Sequence, residues 1–117
     1  MAYKSGFERT LAAQMKRDRV SFEYETLKLN FTVEHTYSPD FILDNGIIIE
    51  AKGKLDAYTK QKMVAVKKQH PERDIRFVFM RGTNKLNKRS KLTYMDWAEK
   101  NGFPAADGAI PKEWYSE

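Results

Sequence analysis

Asp40, Glu50 and Lys52 are the residues of this chain whose types and spacing best suit chemistry. Two carboxylates can share a hard divalent cation, and a neighbouring ammonium can stabilise negative charge. Hydrolysis of a phosphodiester needs these parts: a cation that polarises the phosphate and activates water, and a positive group facing the charge that builds in the transition state. All three residues lie in the stretch PDFILDNGIIIEAKG, Pro39 to Gly53. There the apolar runs Phe41–Leu43 and Ile47–Ile49 flank Asp44-Asn45-Gly46, a strong hairpin signal.

The turn permits two registers. If Asn45-Gly46 alone form the loop, Asp44 pairs with Ile47, Asp40 falls opposite Ala51, and the two carboxylates point to opposite faces. If Asp44-Asn45-Gly46 form a three-residue loop with Gly46 left-handed, Leu43 pairs with Ile47 and Asp40 falls opposite Glu50. Lys52 then joins the same face, and the acid pair comes within about 5 Å between β-carbons, close enough to share a cation.

A plainer explanation exists for each residue alone. Asp after Pro is common in turns, and Glu-Ala-Lys on a strand can be a solvated edge that discourages aggregation. Taken together they are harder to dismiss. The Ile47-Ile48-Ile49 run argues against an exposed edge, and burying the start of a charged Glu-x-Lys needs a reason.

The elements that must position these residues follow from periodicity. Phe7, Leu11 and Met15 make a helical stripe over Ser5–Arg19, and Ser5 with Glu8 has the spacing of a capping box. Val20–Glu25 reads as a strand, and Leu27, Leu29, Phe31 and Val33 alternate as a second, half-buried one. The hairpin supplies two more. A helix is expected from about Asp56 to Gln69, ended by Pro71, then a strand at Ile75–Phe79 and a short helix capped by Thr93, running through Lys100 and stopped by Gly102. The tail from Phe103 reads as irregular. The expected fold is α/β of the α+β kind, a mixed central sheet flanked by helices in the order α-β-β-β-β-α-β-α, over one domain spanning residues 1–117.

At 117 residues the chain suits a single domain with one modest core. Without cysteine, thiolate metal sites and disulfides are excluded, so any metal rests on oxygen or histidine ligands and hard cations lead. No stretch approaches the roughly 20 apolar residues of a membrane span, and no signal-type run opens the sequence, so a soluble intracellular protein is expected. The formal charge of +5 favours a polyanionic partner.

Pro39-Asp40 followed by Glu50-Ala51-Lys52 matches the PD-(D/E)XK nuclease signature. More closely, the chain resembles the endonuclease I family of the T-odd short-tailed bacteriophages, which resolve Holliday junctions. The likeness runs from about Ser5 to Trp114 through SGFE, FEYE, HTYSPDF, NGIIIEAKG, QHPERDIRFVF and IPKEW. It implies a restriction-endonuclease-like core and a magnesium- or manganese-dependent endonuclease that cuts branched DNA in the cytoplasm of an infected bacterium. By the same resemblance Asp40, Glu50 and the main-chain carbonyl of Ala51 hold one or two metal ions, Lys52 is the catalytic lysine, and Glu8 completes the active site. A capping-box role explains Glu8 unaided, and Glu23 in the FEYE block is auxiliary. His35 reads as a hydrogen-bonding surface residue of a turn.

The family forms intertwined homodimers in which the counterpart of Glu8 comes from one chain and the hairpin residues from the other. Two-fold symmetry suits a four-way junction. Here the segment between Tyr24 and His35 reads as a few residues shorter than in the family, and the family's strongly basic carboxyl-terminal extension is not expected.

Lys54, Lys60 and Lys62 follow the hairpin closely enough to touch phosphates near a cleavage point, and the basic loop holding Arg81, Lys85, Lys88, Arg89 and Lys91 suits a second DNA arm. Any one of these lysines is also explained by a solvated face. Two alternatives stand beside junction resolution: another nuclease on the same scaffold that cuts linear duplex, and a basic DNA-binding module with no catalysis. The joint presence of Asp40, Glu50 and Lys52 argues against the latter.

Overall fold

A computed structural model describes residues 2–117. It divides into two compact units, one ending at His35 and the other running from Thr36 to Glu117.

In the first unit helix α1 spans Gly6–Arg17. The expected capping box is present: the Ser5 side chain accepts from the Glu8 N–H, and the Glu8 carboxylate accepts from the Ser5 N–H. Of the helix's residues only Ala12 is buried. The stripe that includes Phe7 and Leu11 stays largely exposed.

The two strands expected over Val20–Glu25 and Leu27–Val33 are not formed. A strand persists only where a neighbour satisfies its N–H and C=O groups, and among the described residues of this unit no ladder offers one. Left-handed backbone at Arg19 and Glu25 interrupts the segment further. Its alternating apolar side chains therefore face solvent, Phe31 at 86% exposure.

The second unit is built on a four-stranded sheet in the spatial order β1 (Phe41–Ile42), β2 (Ile48–Lys52), β3 (Ile75–Phe79), β4 (Ala105–Asp107). β1 and β2 are antiparallel, whereas β2–β3 and β3–β4 are parallel. Each parallel pair is joined by a segment carrying a helix, as such pairs require. Helix α2, Ala57–Gln69, is capped by the Asp56 side chain on the Thr59 N–H, which holds that carboxyl below its usual range. Helix α3, Tyr94–Lys100, opens on a second capping box, Thr93 with Asp96, and the left-handed Gly102 follows it.

Two apolar clusters cover the sheet. On one side Ile48, Leu55, Met63, Phe77, Phe79, Trp97 and Phe103 form the larger core; on the other Ile47, Ile49, Ala106 and Trp114 form a smaller one. The tail is more regular than expected, because it supplies β4 and a 3₁₀ turn at Lys112–Ser116. That turn covers Arg76, whose guanidinium lies 5.1 Å from the centre of the Trp114 ring and pairs with Asp74 and Glu117. The pairing holds both carboxyls below their ordinary range. Among the described residues no helix is long and apolar enough to cross a membrane.

Candidate active site

The hairpin adopts the three-residue loop. Phe41 pairs with Ile49 and Ile42 with Ile48, while Leu43 and Ile47 close the ladder through Leu43 N–H donating to the Ile47 carbonyl at 2.8 Å. Gly46 takes the left-handed conformation (φ 91°) that this loop demands. One residue beyond β1, Asp40 follows in the register toward Glu50 and bonds the edge of β2 through its carboxylate, while Glu50 and Lys52 share the face of Ile48.

That face carries the larger core, and across β3 Glu50 lies beside Phe77. Glu50 is accordingly buried, with 3% of its surface exposed. A carboxylate placed there needs partners at its oxygens. The Tyr37 hydroxyl donates to Oε2, and Lys52 Nζ stands 3.4 Å from Oε1. Partial burial and the adjoining Glu50 carboxylate push the Tyr37 phenol upward, so it remains a proton donor. Asp40 is exposed, and its Oδ2 accepts from the Ala51 N–H at 2.8 Å.

That last bond reveals the direction of the Ala51 peptide groups. On its β3 side β2 donates from Ile48 N–H to Asp74 and accepts at the Lys52 carbonyl from Met80 N–H. Even-numbered residues therefore serve the parallel ladder, and the odd-numbered Ala51 turns its N–H and C=O toward Asp40.

The donor set fits a hard divalent cation. Among the described residues no cluster of three or more acidic or histidine side chains forms a ready metal cage. Magnesium does not require one, since it usually takes one or two carboxylates and fills its remaining positions with water and substrate phosphate. Asp40, Glu50 and the Ala51 carbonyl supply oxygen ligands of that kind on one side of one hairpin.

Beyond the hairpin, the chain matches the phage endonuclease I family over residues 1–117. It is similar to Endonuclease I of Escherichia phage T7, at 40% identity over 119 residues covering 99% of this chain and 80% of the relative. It is equally similar to Endodeoxyribonuclease 1 of Enterobacteria phage T3, at 40% identity covering 94% of this chain and 74% of the relative. The chain belongs to the phage endonuclease I family.

For this endonuclease I family member, Asp40, Glu50, Ala51 and Lys52 are drawn together as the three-residue loop requires. Glu8 lies in the first unit, where its Oε1 accepts from the Lys4 and Ser5 N–H groups and from the Tyr24 hydroxyl at 2.9, 3.1 and 3.0 Å. Glu23 accepts from Thr26 and is exposed, as is His35.

Of the basic residues, Lys62 has its ammonium 5.6 Å from the ring centres of both Tyr37 and Tyr58. Lys54 is exposed and Lys60 half-buried, the latter on the first turn of α2. Arg81, Lys85, Lys88, Arg89 and Lys91 are exposed on a connection ordered by its own bonds, including a bridge between Lys85 and Thr93 and a Leu86 N–H bond to the Leu92 carbonyl. Gly82 anchors its start, donating to Asp107; a β-carbon there would stand 2.6 Å from the Met95 side chain.

Tyr37 is the residue that reading the sequence missed. Its place in HTYSPDF was visible, but its partner is on a strand 13 residues away, for which no local spacing gives a cue.

Proposed function

We propose that this protein is a structure-selective endodeoxyribonuclease that resolves four-way and branched DNA junctions by magnesium- or manganese-dependent hydrolysis of phosphodiesters. One observation carries the reading: the hairpin register pairing Phe41 with Ile49, which brings Asp40 onto the Ala51 N–H next to Glu50, with Lys52 3.4 Å from the Glu50 carboxylate. The two phage relatives, named as an endonuclease and an endodeoxyribonuclease, support DNA as the substrate and an infected bacterial cell as the setting.

When bound, the cation supplies Lewis acidity to the scissile phosphate and to an attacking water. Asp40, Glu50 and the Ala51 carbonyl would hold it. Lys52, largely sheltered from solvent, offers its ammonium to the charge that develops on the phosphate, where exclusion of water strengthens the attraction. Glu8 is proposed as a further acid from the family resemblance alone. Lys54, Lys60 and Lys62 touch phosphates near the cut, and Arg81, Lys85, Lys88, Arg89 and Lys91 touch a second arm; such contacts orient DNA without reading its sequence.

A homodimer, intertwined as in the family, completes the proposal. The uncovered apolar side chains of Leu27, Leu29, Phe31 and Val33 support it, because single soluble domains seldom leave such a row exposed.

Incubating the protein with a synthetic four-way junction or linear duplex, in magnesium or in chelator, tests the proposal. Cutting of the junction in preference to duplex, and only with metal, is expected. Equal cutting of both substrates would replace it with a general duplex nuclease, and metal-independent binding with no cutting would leave a DNA-binding module.

A further inference from the structure

Glu50 is held at both of its carboxylate oxygens, and the two holders differ in kind. Lys52 lies on the same strand and belongs to the signature. Tyr37 comes from the chain leading into the hairpin and is held in turn by a second element. Its ring packs against the larger core, and the Lys62 ammonium of α2 lies 5.6 Å from its centre. Lys62 is itself four residues beyond Tyr58 on one helix face, with the same distance to that ring.

A glutamate has three side-chain torsions, and its carboxylate can swing when only one oxygen is engaged. A hydroxyl donated to Oε2 from a ring that is itself packed removes that freedom. Outer groups that orient ligating side chains act in this manner, and losing one weakens metal affinity or activity by about 10- to 100-fold.

Resting on the metal-site reading above, we propose that Tyr37 is a positioning residue for Glu50, its hydroxyl fixing the carboxylate in the orientation that receives the divalent cation. Tyr37 touches neither the reacting phosphate nor water in this role; it acts through Glu50.

Tyr37→Phe isolates the hydroxyl, since it keeps the ring, its packing and the Lys62 interaction. Manganese binding to the DNA-free protein, read from the electron paramagnetic resonance of the free ion, is compared for wild type, Tyr37→Phe and Glu50→Gln, alongside thermal unfolding and the magnesium dependence of junction cleavage. Tyr37→Phe is expected to bind manganese about 10-fold more weakly, to unfold near the wild-type temperature, and to regain cleavage as magnesium is raised. Glu50→Gln is expected to lose binding outright. Wild-type manganese affinity in Tyr37→Phe, with binding lost in Glu50→Gln, would overturn the role of Tyr37 and leave the metal site standing. Weaker binding accompanied by a collapsed unfolding temperature would make Tyr37 a packing residue and also overturn the proposal. Undiminished binding in Glu50→Gln, or none in wild type, would instead overturn the metal-site reading.

Discussion

Two glutamates in this chain each accept a hydrogen bond from a tyrosine hydroxyl, yet their surroundings differ in what they explain. Glu8 takes its bond from Tyr24, but the same oxygen also accepts the Lys4 and Ser5 N–H groups at the start of α1, the latter as half of the capping box. Helix capping accounts for its position. Glu50 takes its bond from Tyr37 while buried beside Phe77, caps nothing, and faces Lys52. Tyr37 and Lys52 offset the cost of burying its carboxylate, but no helix end or turn calls for one there. A catalytic role for Glu50 is thus argued from the geometry, whereas for Glu8 it is argued from kinship.

Substitution at Glu50 tests the stronger side of that contrast. Glu50→Gln keeps size but removes the charge and one of the two acceptor oxygens, and should lower junction cleavage by about 10³-fold while gel-shift affinity for the junction persists. Cleavage near the wild-type rate would remove Glu50 from the mechanism.

At Glu8 the two roles come apart with two substitutions. Glutamine still serves a capping box, so Glu8→Gln should melt close to wild type, and Glu8→Ala should lose about 1 kcal/mol of stability. If Glu8 also serves in catalysis, both should cut junctions poorly. An active Glu8→Gln enzyme would make the residue a cap and nothing more. If subunits share residues, mixing chains altered only at Glu8 with chains altered only at Lys52 should restore cutting.

The smallest effect concerns the basic connection. Lys88→Ala with Arg89→Ala should weaken junction binding and reduce the slope of log affinity against log salt by about 2, near one unit for each phosphate left without its cationic side chain. An unchanged slope would exclude these two as phosphate ligands.

What could be read beforehand divides along the same line between local and distant causes. The caps at Ser5 and Thr93 and the stop at Gly102 were legible, because capping is settled within a few residues. The hairpin was legible down to two registers, since loop chemistry limits the pairing but packing selects it. Residues 20–33 misled, because alternation records a capacity to pair and says nothing of whether a partner exists in the same chain. β4 went unseen for the opposite reason: Ala105, Ala106 and Asp107 have little strand preference and are ordered by their pairing with β3. The Tyr37 bond to Glu50 and the Arg76 pairing with Glu117 each join positions whose nearness exists only after folding.

The side chain of Asn45, at the tip of the hairpin, donates to the main-chain carbonyls of Trp114 and Glu117 at 2.8 and 3.1 Å. Sliding the hairpin by a single residue would tear Asn45 from both carbonyls and swing Asp40 to the far side of the sheet. Some seventy residues downstream, the chain thus helps hold the hairpin in register, and a change in the tail would be felt at Asp40 and Glu50.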